Sequence, residues 1–258
     1  MATARPKIEI CLDSVVSAIG AEQSGADRVE LCDNLIEGGT TPSAGMIAIT
    51  KKKIKIPVMV MIRPRGGDFC YTDDEFEVMK HDVQVAKLLD ADGVAFGILL
   101  PDGTVDVDRS RILVELAKPM SVFNYPVTFH RAFDVTIEPF QALEDLISIG
   151  VDRILTSGQD STAWEGIDLI TELVEWAGDR IIIMPGSGIT ERNVSKIVAA
   201  VHPKEIHFSS LQTIPSPMQY RNSSVFMGAA VKTAEYTLSV ANSRKIGAIL
   251  AKLDGSRS

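Results

Sequence analysis

The chain has 258 residues, 45% of them hydrophobic and 23% charged, with 19 glycines and 12 prolines. This composition excludes collagen, low-complexity disorder and a small disulfide scaffold, and the length suffices to bury a substantial core. The formal charge of −8 argues against nucleic acid and anionic membrane as partners.

The longest basic cluster, Lys51-Lys52-Lys53, suits a solvated helix end. No stretch approaches the roughly 18 apolar residues of a membrane span. Met1 to Lys7 lacks the apolar segment of an export signal. Three cysteines, an odd count without such a signal, predict reduced thiols and a cytoplasmic location. No linker, charge block or shift in composition divides the chain, so a single domain over 1–258 is expected, with its core in about 7–253.

Eight short apolar runs punctuate the chain: Lys7–Cys11, Arg28–Cys32, Pro57–Arg63, Gly93–Leu99, Val127–Arg131, Arg153–Ser157, Ile181–Met184 and Glu205–Ser209. Each has the length of a strand, and many are rich in Val, Ile and Phe. Helical periodicity fills the intervals. Phe76, Met79, Val83, Ala86 and Leu89 share one face after the third run, with Asp73 and Asp74 suited to the first turn. Phe140, Leu143, Leu146 and Ile147 follow the fifth run, with Pro139 in a tolerated first-turn position. Leu169, Ile170, Leu173 and Trp176 follow the sixth, and Val194, Ile197, Val198 and Val201 the seventh.

This alternation implies parallel strands joined by right-handed crossovers. Gly25-Ala26-Asp27-Arg28-Val29, Asp90-Ala91-Asp92-Gly93-Val94 and Gly150-Val151-Asp152-Arg153-Ile154 recur at every second helix-to-strand junction. Eight strands and this repeat predict an α/β fold, a single-domain (β/α)8 barrel of the TIM type. An open doubly wound sheet fits less well, because no Gly-x-Gly-x-x-Gly follows the first run.

In such a barrel the site lies at the C-terminal ends of the strands. Alternation turns Glu9, Cys11 and Asp13 inward from the first strand, and Glu30 and Cys32 from the second. It also turns inward Thr128 and His130 of the fifth run and Glu205, His207 and Ser209 of the eighth. Parity with Arg63 would turn Met59 and Met61 inward. Charge in a lumen needs pairing. Either Glu30 and Arg63 form a space-filling ion pair, or the cluster serves chemistry.

Arg63-Pro64-Arg65-Gly66-Gly67-Asp68 sets two guanidiniums beside a flexible glycine pair, suited to an anion or to an internal Arg–Asp tie. Gly186, Ser187 and Gly188 after the seventh run, with Ser209 after the eighth, lie where barrels often hold phosphate. A plain glycine turn capped by Thr190 accounts for the same residues. Cys11 and Cys32 occupy equivalent inward positions on adjacent strands about 4.8 Å apart. Such a pair either packs as small core residues or shares a soft ion such as Cu(I), with a thioether from Met59 or Met61. No Cys-x-x-Cys or His-x-x-x-His spacing suggests structural zinc, and Cys70 reads as an isolated surface thiol.

Several long stretches resemble the CutC copper homeostasis protein family. They include Glu9-Ile10-Cys11, Gly25-Ala26-Asp27-Arg28-Val29-Glu30-Leu31-Cys32 and Glu37-Gly38-Gly39-Thr40-Thr41-Pro42-Ser43. Met61-Ile62-Arg63-Pro64-Arg65-Gly66-Gly67-Asp68-Phe69, Val127-Thr128-Phe129-His130-Arg131-Ala132-Phe133-Asp134, Leu155-Thr156-Ser157-Gly158 and Pro217-Met218-Gln219-Tyr220-Arg221-Asn222 extend the similarity over nearly the whole chain. The resemblance implies a TIM-type barrel, a cytoplasmic homo-oligomer (dimer or tetramer) and a role in copper trafficking or tolerance. It also implies Cu(I) as ligand, with Cys11 and Cys32 at the positions of the family's metal-binding cysteines. Ser187 departs from the Gly or Ala common among relatives, and Ser209-Ser210 from a Ser-Ala pair; neither touches the cysteines.

An enzyme acting on a small anionic or phosphorylated metabolite is the alternative. Glu30 and His130 would then serve as acid and base, Arg63 and Arg131 as the anion clamp, and Gly186, Ser187, Gly188 and Ser209 as the phosphate cradle.

Overall fold

In the computed structural model, residues 5–118, 125–227 and 234–255 are described. Strands β1 (Lys7–Leu12), β2 (Arg28–Leu31), β3 (Val58–Met61), β4 (Gly93–Phe96), β5 (Val127–Phe129), β6 (Arg153–Thr156), β7 (Ile182–Pro185) and β8 (Glu205–Phe208) form one parallel sheet. Its order is β7-β6-β5-β4-β3-β2-β1-β8, as in a barrel opened at a single seam. At that seam a Cβ on Gly186 would lie 3.4 Å from the Cβ of His207, so β7 and β8 still meet across it. Helices α1 (Val15–Gln23), α2 (Ala44–Lys53), α3 (Asp73–Leu88), α4 (Val107–Ala117), α5 (Pro139–Ser148), α6 (Ile167–Ala177) and α7 (Val194–Val201) provide the crossovers.

Each strand starts where its apolar run predicts, within a residue, but most stop short of the run's end. The residues beyond, such as His130 and Arg63, turn out of the ladder to form the barrel mouth. Alternation packs Ile8, Ile10, Leu12, Val29, Leu31, Val60, Val94, Phe129, Ile154, Ile183 and Ile206 under the helices, all essentially inaccessible. They meet Phe76, Met79, Val83 and Ala86 of α3, Leu143 and Leu146 of α5, Ile170 and Leu173 of α6, and Val194, Ile197 and Val201 of α7. Trp176 departs from the expected apolar face of α6. It is exposed, stacks edge-on against Phe140 and donates its indole N–H to Glu144.

The aspartate repeat has a mechanical explanation. Asp27, Asp92 and Asp152 each accept a backbone N–H at the start of a neighbouring strand, from Ile8, Val58 and Val127, at 2.7–2.8 Å. Each also donates its own N–H to the carbonyl of that same residue. A surface cation, Arg5, Lys51 or Lys118, pairs with each carboxylate. Three latches therefore hold the N-terminal rims of β1, β3 and β5 to the following strand.

The apolar runs predict no strand beyond β8. The chain instead builds an antiparallel hairpin, β9 (Leu211–Pro215) with β10 (Thr237–Ala241), before helix α8 (Ser243–Gly255) returns to the barrel. The hairpin is exposed along most of its length, so it lacks the continuous apolar run by which the barrel strands are recognised. Its base is tied to α1, where the hydroxyl of Ser17 accepts the backbone N–H of Ala241.

Candidate functional site

The lumen is polar in two layers. The lower one is an ion-paired plug. The Arg28 guanidinium bonds Glu9 through Nε and Glu205 through Nη2, and Arg153 Nε reaches Glu205 at 2.9 Å. All four residues are buried. Arg28 and Arg153 were not among the expected site residues, although their parity with Glu30 and Leu155 carried the signal. The ion pair of Glu30 with Arg63, one of the two readings of the lumen charges, does not form; Arg63 turns toward the loops above the barrel, and the plug is built from different partners.

Glu9 links this plug to the upper layer. Its second oxygen lies 2.7 Å from Nδ1 of His207, whose Nε2 is 3.6 Å from Glu30. Glu30 contacts the thiol of Cys32 at 3.7 Å, and the sulfurs of Cys32 and Cys11 are 3.8 Å apart. The two cysteines are not level, contrary to the expected equivalence. Strand register sets Cys11 beside Glu30 and Glu9 beside Arg28, so Cys32 lies one pleat higher and meets Cys11 on the diagonal. The stagger of a closed barrel causes this offset. Cys32 is fully buried and Cys11 partly accessible. Gly39 at φ 92° packs over Cys32, where a Cβ would come within 3.2 Å of the sulfur.

Charges sort the protons. Burial alone would raise the Glu9 carboxyl, but Arg28 and His207 outweigh it and hold Glu9 well below the usual carboxylate range. Burial would likewise depress His207, but the acidic groups Glu30, Cys11 and Glu9 raise it well above an ordinary imidazole. The Cys32 thiol bond, opposed by burial and reinforced by His207, brings Cys11 down to about 5. Cys32 is pushed up by that same thiol contact and by burial, and Glu30 is pushed up chiefly by burial. One thiolate, Cys11, thus rests beside an imidazolium, with its neighbour still protonated.

Above the sulfurs a cavity of about 330 Å³ opens at the mouth. Cys11, Glu30, Met61, Arg63, His130, Arg131 and His207 all contribute to its wall, so most of the expected site residues converge there. Met59 lies below, against the plug, so Met61 is the methionine that shares the wall with Cys11. Arg63 donates to the carbonyls of Glu37, Gly39 and Gly67. Arg131 pairs with Asp134 at 2.7 Å and donates to Ser157 at 2.8 Å. His130 is buried, and burial together with the Arg63 charge lowers it to about 3.

Gly186, Ser187, Gly188 and Ser209 lie outside the wall of this cavity. Ser187 (φ 74°) gives its hydroxyl to the carbonyl of Ser161, and a Cβ on Gly186 would strike Leu155 at 2.5 Å. Thr190 does not cap α7 directly. Its N–H donates to the Asn193 side chain, and Asn193 occupies the cap position. Ser209 is exposed just past β8.

Among the described residues, two overlapping groups of three potential ligands lie with their ligand atoms within 4.8 Å of one another, Cys11–Glu30–Cys32 and Glu9–Glu30–His207. The first offers two soft sulfur donors and one oxygen, a set suited to a soft monovalent ion.

Comparison with known proteins points the same way. The family model of the CutC family matches residues 6–212. A Homo sapiens protein named copper homeostasis protein cutC homolog is 51% identical over 239 residues, covering 93% of this chain and 86% of that one. A CutC family protein of Parabacteroides distasonis is 50% identical over 244 residues, covering 94% and 98%. The crystal structure of CutC from Streptococcus agalactiae superposes with a TM-score of 0.73 at 35% identity, covering 80% of this chain and 98% of that one. With a family match over most of its length and relatives at half identity, this chain belongs to the CutC family.

Proposed function

We propose that this protein handles copper inside the cell by holding Cu(I) between Cys11 and Cys32, in the cytoplasm and as a homo-oligomer. The observation that carries the reading is the 3.8 Å separation of the two sulfurs, with Glu30 beside them in a buried pocket. Two metal–thiolate bonds of roughly 2.3 Å each bridge such a gap. The names of the relatives, copper homeostasis proteins in human and mouse, agree with that cargo. No helix among the described residues is long and apolar enough to cross a membrane.

The protein's own groups prepare the site. Cys11 is a thiolate near neutral pH, so it offers a ligand without first losing a proton. Cys32 gives up its proton when the ion binds. Two thiolates and one Cu(I) carry a net negative charge, which the adjacent His207 imidazolium balances. The partial exposure of Cys11 gives the ion an entry from the mouth, and burial shields the Cys32 sulfur from oxidants. The test is an anaerobic competition titration of Cu(I) against a chromophoric chelator. One tightly held ion per chain, lost in the Cys11→Ser/Cys32→Ser double variant, is expected. Binding of equal strength in that variant would refute the thiolate site.

A further inference from the structure

We propose that the cavity at the barrel mouth binds a small organic carboxylate, received by the Nε2–H of His130 and the buried charge of Arg63. This goes beyond the copper reading, since an ion held by two sulfurs has no use for a chamber of about 330 Å³, a volume suited to a small molecule.

The first observation is an uncompensated cation. Arg63 is buried, yet its hydrogen bonds go to three backbone carbonyls, and no carboxylate pairs with it among the described residues. The Tyr71 hydroxyl beside it is neutral, its pKa pushed up to about 12 mainly by burial. Arg28 and Arg153, buried lower in the same lumen, are both paired with glutamates. Buried charge is costly without a counter-ion. The acids in the cavity wall have partners other than Arg63. Asp134 holds Arg131, Thr156 and Ser157; Glu37 bonds Asn34; Glu30 lies between His207 and Cys32.

The second observation is an unused donor. Nδ1 of His130 accepts the backbone N–H of Ala132 at 3.1 Å, which assigns the proton of the neutral ring to Nε2. Nε2 is buried without a partner, on a residue lining the cavity. The ring is built into place. Glycine at 97 makes room for it, since a Cβ there would lie 2.6 Å from its Cε1. Phe69 packs against it at 5.1 Å, and the same phenyl ring carries Arg63 at 5.1 Å. Arg63 Nε and Glu30 Oε1 are two further buried atoms in this wall without a partner.

A carboxylate answers both demands, bringing negative charge for Arg63 and an acceptor for His130. Met61, Phe69, Val135 and Leu155 provide an apolar wall for its carbon portion. Inorganic phosphate fits less well. The loop residues expected to cradle it lie outside the cavity, and most of the Arg63 donors are already committed.

The test is calorimetric titration of the metal-free protein with acetate, pyruvate and oxalate, against inorganic phosphate at matched ionic strength. The His130 ring nitrogens are followed by NMR in parallel. Saturable binding of at least one carboxylate, with a shift of the Nε2 resonance, is expected. His130→Phe keeps the ring stacked on Phe69 but lacks the donor, and should weaken binding about tenfold. His130→Gln, which returns an N–H, should recover part of it. Cys11→Ser/Cys32→Ser should lose copper and keep the carboxylate, which separates this site from the thiolate one. A preference for phosphate, an unmoved Nε2 resonance in the native protein, or undiminished affinity in His130→Phe would overturn the proposal. None of those results would disturb the copper titration.

Discussion

His130 and His207 line the same cavity and differ in charge state, because burial and the Arg63 charge keep one neutral while the other lies between Glu9 and Glu30. His130 stays neutral when folded but protonates freely when unfolded. Between its ordinary pKa of 6.5 and about 3, the unfolded chain therefore binds the extra proton, and acidification through that window removes stability. The slope from one such group is about 1.4 kcal/mol per pH unit. His130→Phe should flatten the acid-side loss of stability by about that amount, read from denaturant titrations at neutral pH and down to about pH 4. A slope identical to wild type would mean that His130 is not held neutral. His207 works in the opposite sense. Raised by its acidic neighbours, it contributes stability that is full below 6.5 and is lost as pH climbs through its elevated value.

At the scale of elements, α3 shows how a helix start supports the mouth. Thr72 and Glu75 form a reciprocal capping box, the Thr72 hydroxyl accepting from Glu75 N–H and the Glu75 carboxylate from Thr72 N–H. The same Glu75 binds Arg65 at 2.6 Å, so the cap also anchors the loop that carries Arg63 and Phe69. Thr72→Ala should cost about 1 kcal/mol, seen as a lowered denaturation midpoint at unchanged m-value. No change in midpoint would show that the remaining contacts of the loop suffice to hold the helix start.

Across the whole molecule, the plug of Glu9, Arg28, Arg153 and Glu205 joins β1, β2, β6 and β8 through the barrel axis. It fills the lower lumen and confines the chemistry to the upper half. Arg28→Met would strand Glu9 and Glu205 as buried carboxylates without their shared partner. A loss of roughly 3–5 kcal/mol in unfolding free energy is expected, measured by chemical denaturation. A loss below 1 kcal/mol would mean that Arg153 alone balances the two acids. Because Glu9 also holds His207, the plug and the thiolate layer are one connected network.

Much of this protein was legible in its sequence. Strand-length apolar runs, helical periodicity and the recurring aspartate junctions determined the alternating barrel, because burial on both faces of a parallel strand imposes those patterns locally. The inward parity of Glu9, Cys11, Glu30, Cys32 and His207 was readable for the same reason. The β9–β10 hairpin was not, since an exposed ribbon leaves no continuous apolar run. The partners within the lumen were decided only by tertiary structure. Register and barrel stagger shift each strand against its neighbour by amounts that no single strand encodes. They put Arg28 on Glu9, leave Arg63 among carbonyls instead of on Glu30, and bring Cys11 and Cys32 together on a diagonal. A strand's own alternation says which residues face the axis; closing the ring decides which of them meet.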